Sequence, residues 1–178
     1  MKGIVFTEFN SMVESQFSPD MLDELIVECN LASGGAYTSV GTYDHNELVS
    51  MVVKLSEKSD IAVDDLVFAF GEHLAGRFVV LFPSFFAEVD NVFDFMKSLH
   101  HHIHVEVKKL YPDADLPHFS FDDSNASHLI MEYQSERGFA HLAHGLMCGV
   151  IKHYGESITV RPEPISGNTH CLFHLVKA

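Results

Sequence analysis

The chain has 178 residues, of which 47% are hydrophobic, enough for one domain with a sizeable apolar core. Its 25 acidic and 11 basic side chains give a formal charge of −14, which argues against nucleic-acid and anionic-membrane ligands, because both require basic patches. Three widely spaced cysteines are typical of a reducing compartment. Without a signal-peptide pattern or an apolar run of about 20 residues, we predict a soluble cytoplasmic protein.

The first half of the chain is predicted to be helical, because its apolar residues recur at helical spacing. Ser18 and Pro19 predict one helix start, since serine is a favoured N-cap and proline fits the first helical position. A long helical pattern from Val92 to Leu110 is stopped by Pro112. The other helical stretches are residues 4–13, SPDMLDELIVECN, NELVSMVVKLSEK and DIAVDDLVFAFGEHLAGRF.

After Pro112 the pattern changes to strands. Short alternating or β-branched stretches predict four of them, HFSFDD, HLIMEYQSER, SITVRPEPI and HCLFHLVK, with the helix GFAHLAHGLMCGVIKHYG in the middle. Helices followed by a ββαββ unit predict an α+β fold with a four-stranded antiparallel sheet. We predict a single domain, 1–178, with a helical subdomain over about residues 1–60 and an α/β subdomain over residues 61–178.

The stretch SLHHHIHVEV (98–107) holds four of the thirteen histidines. On a continuous α-helix, at about 100° per residue, His100 lies in the apolar arc and His104 at its edge, while His101 and His102 point to the polar side. Three interpretations follow: partly buried core histidines, a metal site formed by His100 and His104, or one axial histidine on a haem. The metal site lacks suitably placed third and fourth ligands, and helical geometry alone does not separate His100 from His104.

A second candidate site is the stretch MEYQSERG. If the strand continues through it, Tyr133, Ser135 and Arg137 share one face and form a row about 13 Å long, because side chains alternate along a strand. Two hydroxyls and a guanidinium suit an extended anion with two carboxylates, such as the propionates of a porphyrin. The alternative is that this row is merely the solvated face of an antiparallel strand.

Taken together, these features resemble one family. The opening MKGIVF, the spacing from His104 to Tyr111 and Pro112, the LPHF loop and the Tyr-x-Ser-x-Arg motif at 133–137 resemble the H-NOX family over essentially the whole chain. Members of the H-NOX family are haem nitric oxide/oxygen binding domains related to the sensor domain of soluble guanylate cyclase. The resemblance implies an N-terminal helical subdomain packed on an α/β subdomain, with haem b (iron protoporphyrin IX) between them.

The resemblance also implies roles for individual residues. His104 would be the axial ligand of the haem iron, and Tyr133, Ser135 and Arg137 would bind the propionates. Pro117 would lie against the porphyrin and distort it, although by sequence alone it is an ordinary loop proline. Some members carry a structural zinc near the C-terminus, but Ala140 replaces one ligand here, so we predict that this zinc is absent. Cys171, at another ligand position, is then predicted to be a buried strand residue.

The same resemblance bears on the gas that is bound. Oxygen-binding members have a tyrosine at the position of Leu142, and oxygen needs such a donor, worth about 1.5–3 kcal/mol if the hydrogen bond is charge-assisted. A leucine therefore favours nitric oxide over oxygen, although a rotated helix would bring His141 or His144 in as a donor. Four more residues would make the distal side apolar, with core packing as the alternative for each: Val5, Leu74, Phe78 and Leu146.

The function that the resemblance implies is a sensor, not an enzyme. Nitric oxide, or carbon monoxide, would bind ferrous haem, and nitric oxide would weaken the bond to His104 and release its helix. The signal would pass to a partner through contacts that differ between the two states. Standalone domains of this kind usually act on a sensor histidine kinase or a cyclic-di-GMP enzyme. The competing hypotheses are a metal hydrolase using His100 and His104, and an adaptor without a ligand.

Overall fold

The computed structural model describes residues 1–112 and 114–178, and it describes His100, His101 and Leu110 by their backbone only. The chain folds into two compact units, Met1–Phe70 and Gly71–Ala178. No helix among the described residues is both long enough and apolar enough to cross a membrane. The predicted border between the two subdomains, near residue 60, stays a prediction.

The first unit is helical. Its helices are α1 (Gly3–Gln16), α2 (Pro19–Glu28), α3 (His45–Ser59) and the first part of α4 (Val63–Leu81). The predicted start of α2 is confirmed, because the Ser18 hydroxyl accepts a hydrogen bond from the Met21 amide at 3.0 Å. The core of this unit consists of apolar side chains spaced along the helices: Phe6, Phe9, Met12, Val13, Leu22, Leu25, Leu48, Met51, Val52, Leu55, Leu66 and Phe70.

The second unit contains a four-stranded antiparallel sheet with strand order β1-β2-β4-β3. The strands are β1 (His118–Asn125), β2 (His128–Gln134), β3 (Ile158–Ser166) and β4 (His170–Lys177). Its helices are the end of α4, α5 (Pro83–Ala87), α6 (Val92–Ser98), α7 (His104–Leu110) and α8 (Ala140–Tyr154). The predicted α+β class and the order of the four strands around one helix are therefore confirmed.

One face of this sheet is closed by apolar side chains. Alternate residues of the two central strands are at most 2% exposed, namely Leu129, Met131, Tyr133, Cys171, Phe173 and Leu175. Helix α8 covers them, since the ring of His144 lies 5.9 Å from that of Phe173. Cys171 is the buried strand residue that the sequence predicted, and burial raises the pKa of its thiol.

Helix α8 also lies very close to α4, at glycines of both helices. A Cβ at Gly71 would lie 2.4 Å from the Leu142 carbonyl oxygen, and one at Gly149 would lie 2.4 Å from Cβ of Ala75. Glycine permits this close approach at both positions because it has no Cβ atom. The crossing fixes Leu142 beside α4, within the second unit.

The segment predicted as one α-helix from Val92 to Leu110 is interrupted, so that prediction is wrong in detail. A π-helical turn, Leu99–Ile103, separates α6 from α7. The Leu99 amide donates to the Met96 carbonyl, three residues earlier. The Phe95 carbonyl instead accepts a hydrogen bond from the Ser98 hydroxyl at 2.7 Å. The following turn is wide, and the assumption of a uniform 100° per residue fails across it.

Candidate functional site

His104 is placed by the π-helical turn. It is the first residue of α7, and its amide donates to the Leu99 carbonyl, five residues earlier. The turn also carries one surface contact, since His102 Nε2 lies 2.8 Å from a Glu88 carboxylate oxygen. The direction of His104 relative to α6 therefore depends on the width of this one turn.

The half-buried ring of His104 faces the first strand of the sheet. Its centroid lies 5.6 Å from the ring of Phe119, at 33°, and Phe119 in turn lies 5.9 Å from the ring of Tyr133. Phe119 is only 7% exposed. Sequence reasoning did not single out Phe119, although its place two residues after Pro117, on the buried side of an alternating strand, was a usable signal. The row of three rings joins the candidate iron ligand to the first residue of the Tyr-x-Ser-x-Arg motif.

Tyr133 is the buried member of that motif. Its phenol oxygen accepts a hydrogen bond from the Phe139 amide at 3.0 Å. Burial raises the pKa of Tyr133, while hydrogen bonds from Ser135 and Phe139 and the nearby Arg137 charge oppose the rise. The phenol thus stays protonated at neutral pH, and its O–H remains a hydrogen-bond donor.

Ser135 and Arg137 do not lie on the strand, contrary to the predicted straight row. Strand β2 ends at Gln134, and the chain then turns: the Gly138 amide donates to the Ser135 carbonyl at 3.3 Å, with Gly138 at φ +67°. The Arg137 amide donates to the Ser135 hydroxyl, also at 3.3 Å. A glycine adopts this left-handed conformation without strain, so the turn forms here and keeps the three motif residues together.

Arg137 is mostly covered, at 20% side-chain exposure, and it is engaged by a carboxylate. Its Nη2 lies 3.1 Å from an oxygen of Asp115, whose side chain is 69% exposed. Asp115 belongs to the loop between α7 and β1, two residues before the half-buried Pro117. Sequence reasoning did not include Asp115.

The predicted distal residues of the second unit lie on two adjoining helices. Leu74 is buried and Phe78 half-buried, both on α4, while Leu142 and Leu146 are half-buried on α8. The close approach at Gly71 brings the backbone of Leu142 and Leu146 against α4. Their location suits an apolar wall, and their contact with a gas stays a prediction. The predicted residue of the first unit, Val5, is half-buried in α1.

His144, one of the two alternative donors that the sequence offered, lies beside the sheet. Its ring packs on Phe173 of β4, and burial lowers its pKa, with the His141 charge acting in the same direction. A backbone hydrogen bond with Val160 of β3 opposes that shift. His144 is therefore directed toward the sheet as a predominantly neutral imidazole.

The competing metal site receives no support. No group of three or more histidine, cysteine or acidic side chains that could hold a metal ion occurs among the described residues. The side chain of His100, on which that hypothesis depends, lies outside the described residues.

The residues present fit a haem by their chemistry. His104 offers a single imidazole beside an aromatic strand, and the turn after β2 offers a covered guanidinium together with a buried phenol donor. One imidazole suits an axial ligand, and a guanidinium suits a carboxylate. The fold and these residues together define a haem-binding sensor domain of the H-NOX type.

Comparison with known proteins agrees with this class. The family model described as haem-NO-binding matches residues 2–162, and the chain belongs to this family. An Fe(II) unliganded H-NOX protein from K. algicida is 37% identical, with a TM-score of 0.95 over 100% of this chain and 97% of that one. An H-NOX protein from Shewanella woodyi in the Fe(II)CO state is 40% identical, with a TM-score of 0.87 over 100% and 95%. No curated protein sequence matches the chain.

A third structure extends the comparison to a nitric oxide complex. The H-NOX protein from S. oneidensis in the Fe(II)NO state is 26% identical, with a TM-score of 0.92 over 100% of this chain and 99% of that one. Membership of the family confirms the predicted haem cofactor, and it confirms a sensor domain rather than an enzyme. The metal-hydrolase alternative is not favoured.

Proposed function

We propose that this chain is a haem-based sensor that binds nitric oxide at ferrous iron and discriminates against oxygen. The observation that carries the proposal is the row of rings from His104 through Phe119 to Tyr133, which joins an imidazole to the Tyr-x-Ser-x-Arg motif. The test is the absorption spectrum of the ferrous protein, alone and with nitric oxide, carbon monoxide and oxygen. A strong Soret band that responds to the first two gases is expected, and a colourless protein would contradict the proposal.

The bound haem supplies the iron at which the gas is held. In our proposal His104 would bind the haem iron, and Tyr133, Ser135 and Arg137 would hold the propionates. Pro117 would lie against the porphyrin. The buried phenol and the covered guanidinium support this assignment, because donors that are shielded from water bind a carboxylate more strongly than exposed ones do.

In our proposal Leu142 and its apolar neighbours on α4 and α8 discriminate between gases, and the role of Val5 stays a prediction. Oxygen requires a hydrogen-bond donor, and nitric oxide on ferrous haem needs little such help. The packing of the His144 ring on Phe173 supports the proposal that this imidazole is not a donor to bound oxygen. The wild-type ferrous protein is therefore expected to bind nitric oxide and carbon monoxide and to form no stable complex with oxygen.

Replacing Leu142 with tyrosine tests this assignment directly. Leu142→Tyr introduces a hydroxyl donor worth about 1.5–3 kcal/mol, which corresponds to roughly 10–150-fold tighter oxygen binding. Spectra recorded under air, with oxygen dissociation followed by stopped flow, measure the effect. Leu142→Phe is the matched control, because it adds the ring without the hydroxyl and should gain nothing. Stable oxygen binding by the wild type would refute the role of Leu142.

Replacing Arg137 with alanine tests the proposed clamp. Loss of a charge-assisted contact worth about 1.5–3 kcal/mol should speed haem dissociation roughly 10–150-fold, since each 1.4 kcal/mol is a factor of ten. Transfer of haem to a scavenger globin measures the rate. Arg161→Ala is the control, because Arg161 is an exposed arginine on β3. Equal haem retention in Arg137→Ala and the wild type would rule out the clamp.

The output is proposed to pass through α6, the π-helical turn and α7. This segment is restrained at its start by Glu156, whose carboxylate accepts the Val92 amide at 2.6 Å, and at its turn by the His102–Glu88 contact. Release of His104 would remove a further restraint and alter the surface that a partner contacts. We propose a signalling enzyme as that partner, a sensor histidine kinase or a cyclic-di-GMP enzyme, in the cytoplasm.

A further inference from the structure

The loop before β1 and the turn after β2 continue side by side beyond the end of the sheet. The last β1–β2 pair in this direction is His118 with Gln134. Beyond this pair the β1–β2 ladder ends and the chain after β2 turns, with the Gly138 amide donating to the Ser135 carbonyl. Asp115 and Arg137 nevertheless form an ion pair at 3.1 Å. The two segments therefore stay adjacent although no strand is formed there.

The sequence explains why the contact beyond the end of β1 and β2 is made by side chains and not by backbone groups. Pro117 has no amide N–H, so it cannot donate to the opposite segment. The other end of the loop is tied to α7, since the Ala114 amide donates to the Tyr111 carbonyl at 2.9 Å. Asp115 lies between Ala114 and Pro117, and its ion pair with Arg137 links the loop to the segment that follows β2.

Arg137 is able to serve two anions at once. A guanidinium has five N–H donors in a fixed plane, and Asp115 lies at Nη2. The other N–H groups of the Arg137 guanidinium point away from other edges of its plane, so the same side chain can bind a second carboxylate. Since Arg137 is 20% exposed and Asp115 is 69% exposed, the aspartate approaches from the solvent side.

We propose that Asp115 is a positioning residue which, through Arg137, holds the loop of Pro117 against the turn after β2 and so sets the pressure of Pro117 on the porphyrin. This inference rests on the proposed function. Asp115 itself touches Arg137 and not the reacting atoms. Its removal should leave the axial ligand in place and let the porphyrin become flatter.

The test is resonance Raman spectroscopy of the ferrous haem-bound protein. In Asp115→Ala, the out-of-plane porphyrin modes should lose intensity in the same direction as in Pro117→Ala. The double variant should show no further loss, because both changes act on one contact. Asp115→Glu should restore the modes at least in part. Asp123→Asn is the control, since Asp123 is an exposed carboxylate of the same strand region, 3.5 Å from Lys97.

The outcomes separate this inference from the function on which it rests. Unchanged modes in Asp115→Ala, alongside reduced modes in Pro117→Ala, would overturn the role of Asp115 and leave the sensor proposal intact. Additive losses in the double variant would also overturn it. Failure of the wild type to hold haem would instead overturn the proposed function.

Discussion

Replacement of His104 by glycine is expected to remove the iron–histidine bond while the fold survives. A glycine at the start of a helix costs about 1 kcal/mol, which is small against a typical stability of about 5–15 kcal/mol. The ring of His104 occupies space beside Phe119, so the substitution leaves a cavity that can admit free imidazole. The ferrous Soret band should shift in His104→Gly and return on addition of imidazole, as followed by absorption and by the iron–nitrogen stretching mode.

The neighbouring His102 provides the control for that experiment. His102→Gly removes an equal side chain two residues away, one that contacts Glu88 on the surface, where such pairs contribute about 0–1 kcal/mol. Its spectrum should match that of the wild type without imidazole. An unchanged spectrum in His104→Gly would show that another residue is the axial ligand. If the substituted protein is unfolded by circular dichroism, His104→Gln, which keeps the side-chain bulk without the imidazole, decides the same question.

Insertion of one residue into the π-helical turn is expected to have an effect of similar size. The turn already holds one residue more than a regular α-helical turn, so an alanine inserted after His101 should extend the helix and rotate α7 relative to α6 by about 100°. Such a rotation takes the imidazole of His104 away from its present place beside Phe119. The expected spectrum is that of His104→Gly, with loss of the iron–histidine stretching mode.

The matched control keeps the length of the turn and changes only a side chain. His101→Ala should retain the wild-type spectrum, because the bond from the His104 amide to the Leu99 carbonyl depends on the backbone count. Insertion of an alanine after Pro112, in the loop beyond α7, controls for a change of chain length outside the turn. An insertion variant with the normal iron–histidine bond would show that the turn does not set the direction of His104.

Local patterns were sufficient to predict much of this protein. The capping hydroxyl of Ser18, the four strands and the burial of Cys171 were all predicted correctly. Each depends on residues close in sequence, through backbone dihedral preferences or through alternation along a strand. The resemblance to a family, carried by short motifs, added the haem and the sensor class, which membership of that family confirms.

Two parts of the candidate site lay beyond such patterns. The width of the turn before His104 depends on which carbonyl oxygen accepts a hydrogen bond from the His104 amide. Hydrophobic periodicity does not reveal this, because the pattern of residues 92–110 is nearly the same for an α-helix and for a helix with one wide turn. The end of β2 at Gln134 depends on the left-handed Gly138, whereas alternation of side chains continues unbroken through Arg137. The prediction of one uniform helix and the prediction of a straight row were wrong for these reasons.

The sequence by itself thus determined the order of the helices and strands and the residue types of the site, because both follow from the spacing of residues along the chain. Only the tertiary structure decided which groups meet across strands. Phe119 lies between His104 and Tyr133 because the antiparallel register pairs Phe119 with Tyr133. Asp115 meets Arg137 just beyond the last pair of β1 and β2, where the chain turns. Register is set by the pairing of whole strands and by the turns at their ends, so partners distant in the chain are fixed only when the sheet has formed.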